Sequence, residues 1–455
     1  MTDPHDRPHS RVAVLGAGIS GLSASYHLGH RDTVVYEGTN HYAGHVHCEV
    51  VDGFTWDDGP HFSFASNKYV KQLLEDMVDG EFETLSTKSA NYFYGSWIDH
   101  PAQANLYQVP EPLRTQCVES FLASRNDADQ PPKTYWDWLC GAMGPVFAAN
   151  FPAAYTRKYW TTEPSNLSTE WVGNRILKPD VDEVLSGAQG LSGRTTSHYI
   201  AKSDARYPTH GGFMGYTHKM AAGADIRYGH WVEQVDLERR ILTFADGTEA
   251  TYDHLISTIP LKQLVLRASG APDTVHEAAA TLRCTEFLRV DVAVDHPSRR
   301  EDTWLYCYDE DKLSTRISFT EKFSPNNAPP GTTGIQVETY GSEYRALPSD
   351  YDVVKERILN ELEEMALIDG RHAVRYINVT RVPQGNPIFD LDRRAAMDEI
   401  DPYLDGLGVQ RVGRYGEWKY LMTDACIISS LRAVAAVNDE SLGVDAEGIT
   451  LSEVG

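Results

Sequence analysis

Residues 11–21 read Arg-Val-Ala-Val-Leu-Gly-Ala-Gly-Ile-Ser-Gly and decide the fold of the chain. The first five residues are an apolar run that predicts a buried strand, and a helical apolar stretch, Leu22 to Leu28, follows. The glycines between them form a Gly-x-Gly-x-x-Gly pattern at Gly16, Gly18 and Gly21. The first allows a tight turn, the second lets the backbone approach a pyrophosphate, and the third packs helix on strand. The stretch therefore predicts a Rossmann-type dinucleotide-binding unit.

A second predicted strand, Thr33 to Tyr36, ends at an acidic residue, Glu37. In dinucleotide-binding folds an acid at this place accepts hydrogen bonds from ribose hydroxyls. A carboxylate here disfavours a nucleotide with a 2′-phosphate, because the two negative charges would repel each other. A purely structural glycine turn is the alternative, but the strand, the helix and the acid together favour a bound nucleotide.

The composition is that of an acidic globular protein. The chain has 455 residues, 41 Lys and Arg and 65 Asp and Glu, which gives a formal net charge of −24. Such a surface repels phosphate backbones, so we expect neither a nucleic-acid partner nor an anionic membrane surface. A small anionic ligand stays compatible with it, because a site can be locally basic. Six scattered cysteines without a Cys-x-x-Cys pair, and no apolar membrane-length run or signal-peptide core, predict a cytoplasmic protein.

The rest of the chain predicts strands and helices in interleaved segments. A strand meander is predicted from about Ile226 to Thr258, with a hairpin turn at Asp246-Gly247. Further strands are predicted over 285–295, 303–308, 313–319 and 334–340. Helices are predicted over 67–78, 111–124, 352–367 and 424–437, with short aromatic helices over 134–160.

Several single residues have ordinary structural interpretations beside functional ones. His45 and His47 alternate, but no third ligand group with metal-like spacing is evident, so no metal site is expected. A satisfied buried histidine is the usual explanation for His61, and Arg175 and Arg316 would ordinarily lie at the surface. The aromatic set that falls at helical spacing would by default be core: Phe151, Tyr155, Tyr159 and Trp160. No Gly-x-Ser-x-Gly elbow, Walker loop or nucleophilic Ser or Cys arrangement is visible.

Further segments of the sequence are similar to one known family. They are Asn40–His45, Gly59–Phe62, Trp97–Asn105, Phe151–Trp160, Trp171–Arg175, Trp304–Tyr306, Ser314–Arg316, Phe323–Asn326 and Gly413–Tyr420. Together with the glycine pattern they resemble the UDP-galactopyranose mutase family, and several are closer to its eukaryotic branch. These flavoproteins convert a nucleotide-linked pyranose to its furanose. The resemblance runs from about Arg11 to about Asn438, which is most of the chain.

The resemblance implies FAD as the cofactor, active in its reduced form, with NAD(P)H as a plausible transient reductant. It assigns ten residues to FAD: Gly16, Gly18, Gly21, Glu37, Gly44, His61, Val235, Thr258, Arg414 and Asp424. Of these, His61 would lie against the isoalloxazine and respond to its redox state.

The resemblance also implies a nucleotide-diphosphate sugar as substrate. It assigns ten residues to that substrate: Gln103, Asn105, Phe151, Thr156, Trp160, Arg175, Tyr306, Arg316, Asn386 and Tyr420. Phe151 would stack on the base, and Arg175 and Arg316 would clamp the diphosphate, so these two arginines and His61 are the implied catalytic residues. The family's pattern is not kept at His100, Thr156, Asn386 and Asp424, and the base and the sugar therefore stay open.

In the implied reaction, N5 of reduced FAD attacks the anomeric carbon and displaces the nucleotide. The sugar ring opens and recloses through another hydroxyl, the nucleotide returns, and no net redox change results. Two converging arginines would stabilise the roughly two negative charges of the leaving diphosphate.

Two other functions compete with this one. The first is an FAD-dependent oxidase or desaturase of the amine-oxidase or protoporphyrinogen-oxidase type, which shares the FAD landmarks. An enzyme for uncharged amines has no reason to bring Arg175, Arg316, Tyr306 and Tyr420 together, so this set separates the two. The second is a nucleotide-sugar-binding protein without chemistry, against which His61 and the flavin landmarks weigh. A homo-oligomer is compatible with either.

The expected fold class is α/β, with a Rossmann-type FAD-binding domain, a helical insertion domain and a twisted antiparallel β-sheet domain. The FAD-binding domain would be discontinuous, built from 11–84, 206–280 and 405–440. Residues 85–205 would form the helical substrate-binding domain and 281–404 the antiparallel sheet domain, after a disordered tail over 1–10. The substrate would bind in the cleft between these domains.

Overall fold

The computed structural model describes residues 7–125, 131–173, 175–191, 205–439, 443–445 and 448–450. Its strands are β1 (His9–Leu15), β2 (Thr33–Tyr36), β3 (Cys48–Val51), β4 (Phe54–Asp57), β5 (Phe82–Leu85), β6 (Ser89–Phe93), β7 (Ser96–Asp99), β8 (Ala205–Pro208), β9 (Asp225–Arg227), β10 (Val232–Asp236), β11 (Ile241–Phe244), β12 (Glu249–Ser257), β13 (Glu286–Val294), β14 (Trp304–Cys307), β15 (Arg316–Phe319), β16 (Thr333–Gly341), β17 (Val374–Val382), β18 (Gln410–Arg411), β19 (Gly443–Asp445) and β20 (Gly448–Thr450).

Its α-helices are α1 (Ile19–His27), α2 (Lys68–Met77), α3 (Leu113–Ser124), α4 (Tyr135–Met143), α5 (Pro145–Asn150), α6 (Pro152–Tyr159), α7 (Val181–Ala188), α8 (His218–Ala222), α9 (Leu261–Leu266), α10 (Asp273–Thr281), α11 (Tyr351–Glu364), α12 (Arg393–Gly406), α13 (Gly413–Gly416) and α14 (Thr423–Val437). Within the described ranges no helix is long and apolar enough to cross a membrane.

The first sheet carries the glycine pattern. Its strands follow the order β10-β11-β12-β1-β2-β9, with β18 beside β12. In its centre β1 runs parallel to β2 and β12, which places Val14 beside Val35 and Ile256. Its central strands are apolar on both faces because helices cover both, as is usual for parallel strands. One face packs against α1 and α14, and the other against α9, α10 and α12.

The second sheet is mostly antiparallel, in the order β17-β13-β16-β15-β14-β6-β7. One face is apolar and packs against α11, where Leu288 and Val337 meet Ile358. The alternation of side chains along a strand places Arg316 and Glu338, which are register partners, on the opposite face. This face is turned toward the first sheet and carries charged side chains although it is largely buried.

The helices α3 to α7 form an insertion that lies between β7 and β8 in the sequence. Their core is aromatic and includes Phe121, Phe147, Phe151 and Trp171. α4 begins at a capping box, in which the Thr134 side chain accepts from the Asp137 backbone and the Asp137 side chain accepts in return. The insertion closes one side of the space between the sheets.

The fold class expected from the sequence is confirmed, and most predicted elements lie where expected. Three domain boundaries are corrected. β1 begins at His9, so the tail does not extend to residue 10, and residues 1–6 lie outside the described residues. The hairpin β6–β7 belongs to the second sheet and not to the helical insertion, because β6 pairs with β14. α12 packs against α10 on the first sheet, and not within the second.

Alanine substitutions at two glycines of the insertion test its packing, because they should change the free energy of unfolding in opposite directions. A Cβ on Gly187 in α7 would lie 2.4 Å from the Ala104 oxygen, whereas one on Gly141 in α4 would meet no atom within 4 Å. We expect Gly187→Ala to lower the free energy of unfolding by about 1–3 kcal/mol through overpacking. Gly141→Ala is the matched control and should raise it by up to about 1 kcal/mol through helix propensity. Urea denaturation measures both, and equal shifts would contradict this packing of α7.

Candidate functional site

A cleft of about 1040 Å³ lies where the two sheets and the helical insertion meet. The glycine loop lines one part of it, and tyrosines, tryptophans and arginines line another. Its volume is at the upper limit of ordinary ligand pockets, so it has room for a large cofactor together with a substrate.

The glycine loop leaves space for a ligand only at its second glycine. A Cβ on Gly16, whose φ is +97°, would lie 2.4 Å from Thr258 Oγ1, and one on Gly21 would lie 2.0 Å from the Gly16 oxygen. A Cβ on Gly18 would have its nearest atoms only at 3.9 Å, in the 43–44 segment, and Gly18 lines the cleft. The first and third glycines are therefore needed for packing, and the second lets a pyrophosphate approach the backbone at the start of α1.

Glu37 lies at the end of β2, beside the glycine loop. Its Oε2 accepts from the Ala17 backbone N at 2.8 Å and its Oε1 from the Thr39 backbone N at 2.9 Å. These bonds fix the carboxylate at the cleft wall, where its remaining lone pairs can accept from ribose hydroxyls. The loop and this carboxylate fit a dinucleotide such as FAD.

Most of the other residues assigned to FAD line the same cleft. Gly44 has a φ of +54°, and a Cβ there would lie 3.1 Å from the Gly18 Cα. The residues found in the lining are Gly44, His61, Thr258, Arg414 and Asp424. Val235 is a correction, because it is fully buried in the core of the first sheet and Val232 lines the cleft instead. Gly21 also lies outside the lining, since it packs α1 against the loop.

His61 and His45 are neutral histidines in this cleft. Burial, with smaller contributions from Arg414 and His45, lowers the pKa of His61 to about 3. Burial and Arg414 lower the pKa of His45 to about 4. Nδ1 of His61 is buried and has no hydrogen-bond partner, so this is not the satisfied core histidine that its sequence context first suggested. The unpaired nitrogen is available to a group bound in the cleft.

Two of the four arginines in the cleft lining contact the same aromatic ring. The guanidinium carbons of Arg175 and Arg414 each lie 4.8 Å from the centroid of the Tyr420 ring. Arg175 donates to the backbone oxygens of Trp171 and Tyr420 at 3.0 and 2.5 Å, and its Nε is buried without a partner.

Arg414 is likewise held by neutral acceptors. It donates to the Leu421 oxygen at 2.8 Å and to Asn386 Oδ1 at 2.7 Å. Among the described residues, no carboxylate forms a hydrogen bond or ion pair with Arg414 or Arg175. Both guanidiniums therefore keep their charge available to an anion.

Arg316, unlike these two arginines, is bound to a buried carboxylate. Its Nε and Nη2 donate to the two oxygens of Glu338 at 2.5 and 2.8 Å, and the hydroxyl of Tyr340 donates to Glu338 at 3.1 Å. We call the part of the cleft formed by Arg175, Arg316, Arg414, Glu338 and Tyr420 the arginine end.

Hydrogen bonds connect further polar side chains to the arginine end. The hydroxyls of Tyr159 and Tyr420 are 3.0 Å apart, and Asn386 Nδ2 donates to Tyr159 at 3.0 Å. Since Asn386 also accepts from Arg414, one network joins a cationic group to two phenols. The network holds the wall of the cleft in one arrangement.

The structure places most residues assigned to the substrate in the lining, with two exceptions. Those present are Gln103, Thr156, Trp160, Arg175, Tyr306, Arg316, Asn386 and Tyr420. Phe151 is fully buried and packs on Phe147, with ring centroids 4.6 Å apart, and Phe147 lines the cleft in its place. The amide of Asn105 donates to the oxygens of Asp99 and Pro101, outside the lining. Phe151 is therefore not placed in this cleft to stack on a base.

Glu338, Tyr340 and Phe147 are lining residues that the sequence interpretation missed. For the first two a signal existed, because Gln336, Glu338 and Tyr340 alternate with Ile335, Val337 and Thr339 along one predicted strand. In the described part of the chain, no group of three or more His, Cys, Asp or Glu residues could hold a metal ion.

Comparison with known proteins identifies the family. The sequence model of the flavin containing amine oxidoreductases matches residues 149–437, and that of the NAD(P)-binding Rossmann-like domain matches residues 14–77. The chain belongs to the flavin containing amine oxidoreductase family. It is thus an enzyme of the FAD-dependent oxidoreductase superfamily, in agreement with the flavin cofactor that the sequence implied.

Individual relatives are distant. A 4,4'-diapophytoene desaturase (4,4'-diaponeurosporene-forming) of Staphylococcus aureus is 26% identical over 127 residues, which cover 26% of this chain and 25% of the desaturase. The chain thus matches about a quarter of the length of this curated relative.

Solved structures are similar over nearly the whole chain. A reduced UDP-galactopyranose mutase aligns with a TM-score of 0.88 at 22% identity, covering 94% of this chain and 96% of the mutase. A candidate protoporphyrinogen oxidase from Exiguobacterium sp. 255-15 aligns with a TM-score of 0.73 at 16% identity, covering 95% and 99% of the two chains. At these identities the likenesses show a shared fold.

The neutral His61 predicts a pH dependence of stability. Its pKa in the folded chain, about 3, is below the ordinary value of 6.5, so the unfolded chain binds a proton that the folded chain does not. The stabilisation is present above pH 6.5 and is lost as the pH falls below it. The difference in unfolding free energy between the wild type and His61→Gln should therefore fall by up to about 1.4 kcal/mol per pH unit below pH 6.5.

Urea denaturation of both proteins between pH 4.5 and 7.5 measures this difference. Taking the difference cancels the titration of the other buried groups. His372→Gln removes an exposed histidine and is the control, which should differ little from the wild type in stability. A pH-independent difference for His61→Gln would show that His61 is not held neutral by burial.

Proposed function

We propose that this flavoenzyme is a mutase that interconverts the pyranose and furanose forms of a nucleotide-diphosphate sugar, without net redox change. The observation that carries the proposal is the pair Arg175 and Arg414, two guanidiniums that share the ring of Tyr420 and have no carboxylate partner among the described residues. Arg414, which the resemblance assigned to FAD, is therefore assigned here to the groups that bind the substrate anion. In a chain of net charge −24, unpaired cations inside a cleft favour an anionic ligand.

The arginine end suits a diphosphate. A diphosphate diester carries about two negative charges, which planar guanidiniums bind through charge-assisted hydrogen bonds. Arg175 offers its unpartnered Nε, and Arg316 offers Nη1, the nitrogen that Glu338 does not engage. The phenols of Tyr306 and Tyr420 line the same space and can donate to phosphate oxygens. These groups would also stabilise the charge on the diphosphate when the anomeric bond breaks.

The glycine loop, Glu37 and Thr258 would hold the dinucleotide part of FAD, and Gly59 to His61 would face its reactive ring. Reduced flavin, when bound, supplies the nucleophile for the anomeric carbon. His61 stays neutral, so its unpaired Nδ1 can exchange a hydrogen bond with the cofactor without adding charge.

Within the described lining, the Cys426 thiol and the Tyr155 phenol are not ionised. Burial raises the pKa of the Cys426 thiol and the pKa of the Tyr155 phenol. Both therefore stay protonated at neutral pH and are poor nucleophiles. The protein's own part in the proposed reaction is to bind, orient and stabilise charge.

An FAD-dependent oxidase or desaturase is the alternative, and the family and the desaturase relative favour it. Several cleft residues are aromatic, which suits an apolar substrate as well as a nucleoside. The partly buried guanidiniums of the arginine end weigh against it, because an apolar substrate would leave their charge without compensation.

Product analysis separates the two functions. The purified holoprotein would be incubated anaerobically with a panel of nucleotide sugars, with and without dithionite, and the products resolved by NMR. The proposal expects a furanose isomer that forms only with the reduced enzyme. No isomer from any sugar, together with flavin reduction by an apolar compound or an amine, would establish the oxidase.

Variants of the diphosphate arginines test the arginine end directly. Arg175→Ala and Arg316→Ala should each weaken binding of UDP by about 10- to 100-fold, the loss expected for a hydrogen bond to a charged group. Arg157→Ala is a matched control, because Arg157 pairs with Glu310 at the surface of the same insertion and lies outside the lining. Isothermal titration calorimetry measures the affinities. Unchanged affinity in both cleft variants would show that the diphosphate binds elsewhere.

A further inference from the structure

Glu338 is the residue of the arginine end that the proposed function does not use. It lies on β16, its side chain is 1% exposed, and it lines the cleft. A buried carboxylate in a site for an anion is costly, because it repels the ligand that the site binds. We therefore expect Glu338 to make a favourable contribution to ligand binding or selectivity that is larger than this repulsion.

The position of Glu338 places it beside the proposed sugar. A Cβ on Gly59 would lie 3.5 Å from Oε1 of Glu338 and 3.7 Å from Cε1 of His61. The carboxylate and the imidazole thus border the same point of the cleft, next to the loop that would face the flavin. A sugar held between the diphosphate arginines and this loop would contact Glu338.

The hydrogen bonds of Glu338 leave it able to accept another. Oε1 accepts from Arg316 Nη2 at 2.8 Å, whereas Oε2 accepts from Arg316 Nε and from the Tyr340 hydroxyl. A carboxylate has about four acceptor positions, so Oε1 can also accept from a sugar hydroxyl. An ionised carboxylate accepts hydrogen bonds but donates none, so it cannot form a hydrogen bond with a second ionised carboxylate.

The charges of the arginine end fit a ligand with two negative charges. Three guanidiniums and one carboxylate leave a formal excess of two positive charges. The other carboxylates of the lining are stabilised separately. Asp58 pairs with Arg289 at 2.6 Å, Asp424 lies in the first turn of α14, where the helix dipole favours an acid, and Glu37 accepts from the Ala17 and Thr39 backbone N–H groups.

We propose that Glu338 determines the sugar specificity of the site: it accepts a hydroxyl of a neutral sugar and excludes nucleotide sugars whose sugar carries a carboxylate. This inference rests on the proposed function. A nucleotide hexose brings the two charges that the arginine end neutralises. A nucleotide uronate brings a third charge beside Glu338, where it has no positive partner and meets a like charge.

Binding to the holoprotein tests the inference. Isothermal titration calorimetry would compare UDP-galactose with UDP-galacturonate, which differ in a hydroxymethyl against a carboxylate group, and GDP-mannose with GDP-mannuronate. The wild type should prefer the neutral sugar. Glu338→Gln removes the charge and keeps the size, and it should shift the preference toward the uronate by about tenfold or more, as expected for one unit charge at close range.

Two further variants keep the test decisive. Glu338→Asp keeps the charge and should keep the preference for the neutral sugar, even if affinity falls. Glu361→Gln removes a buried carboxylate outside the cleft and should leave the preference unchanged, which separates charge from general destabilisation.

The outcomes also separate the inference from the proposed function. If the sugars bind and Glu338→Gln has the same preference as the wild type, the specificity role of Glu338 is overturned and the mutase proposal stands. If the wild type binds neither UDP, GDP nor any of the four nucleotide sugars, the nucleotide-sugar function is overturned together with it.

Discussion

The parallel pairing of β1 with β2 and β12 is the constraint on which the site depends. Parallel strands end at the same edge of a sheet, so the glycine loop, Glu37 and Thr258 meet there although Thr258 is distant in sequence. Thr258 Oγ1 donates to the Leu15 oxygen at 2.8 Å and lies where a side chain on Gly16 would be. The two strand ends are thus locked together, and the cleft opens from this edge.

The second constraint is charge inside an acidic chain. Burying a guanidinium is costly unless its donors have partners. Here backbone oxygens, Asn386 and the Tyr420 ring contact Arg175 and Arg414 without neutralising them, and Nε of Arg175 is left without a partner. Arg316 is different, because Glu338 neutralises it in part. The arginine end therefore combines available positive charge with one acceptor, which is the chemistry needed for a diphosphate joined to a hydroxylated sugar.

Local patterns were predictable, and long-range placement was not. The glycine pattern predicted the Rossmann-like unit because strand, turn and helix lie within one short stretch. Phe147 and Phe151 are both apolar and four residues apart, and only the packing of α5 decides that Phe147 faces the cleft. The pairing of β6 with β14 likewise depends on contacts that no local pattern encodes. In β16 every residue is buried, so its polar alternation did not stand out as the wall of a site.

A crystal structure of the reduced holoprotein with UDP-galactose would show where the diphosphate binds. We expect FAD along the glycine loop with its ribose on Glu37, the substrate diphosphate within hydrogen-bond distance of Arg175 and Arg316, and the sugar between them and His61. A diphosphate bound away from these arginines, or an arginine end filled by part of the cofactor, would contradict this expectation.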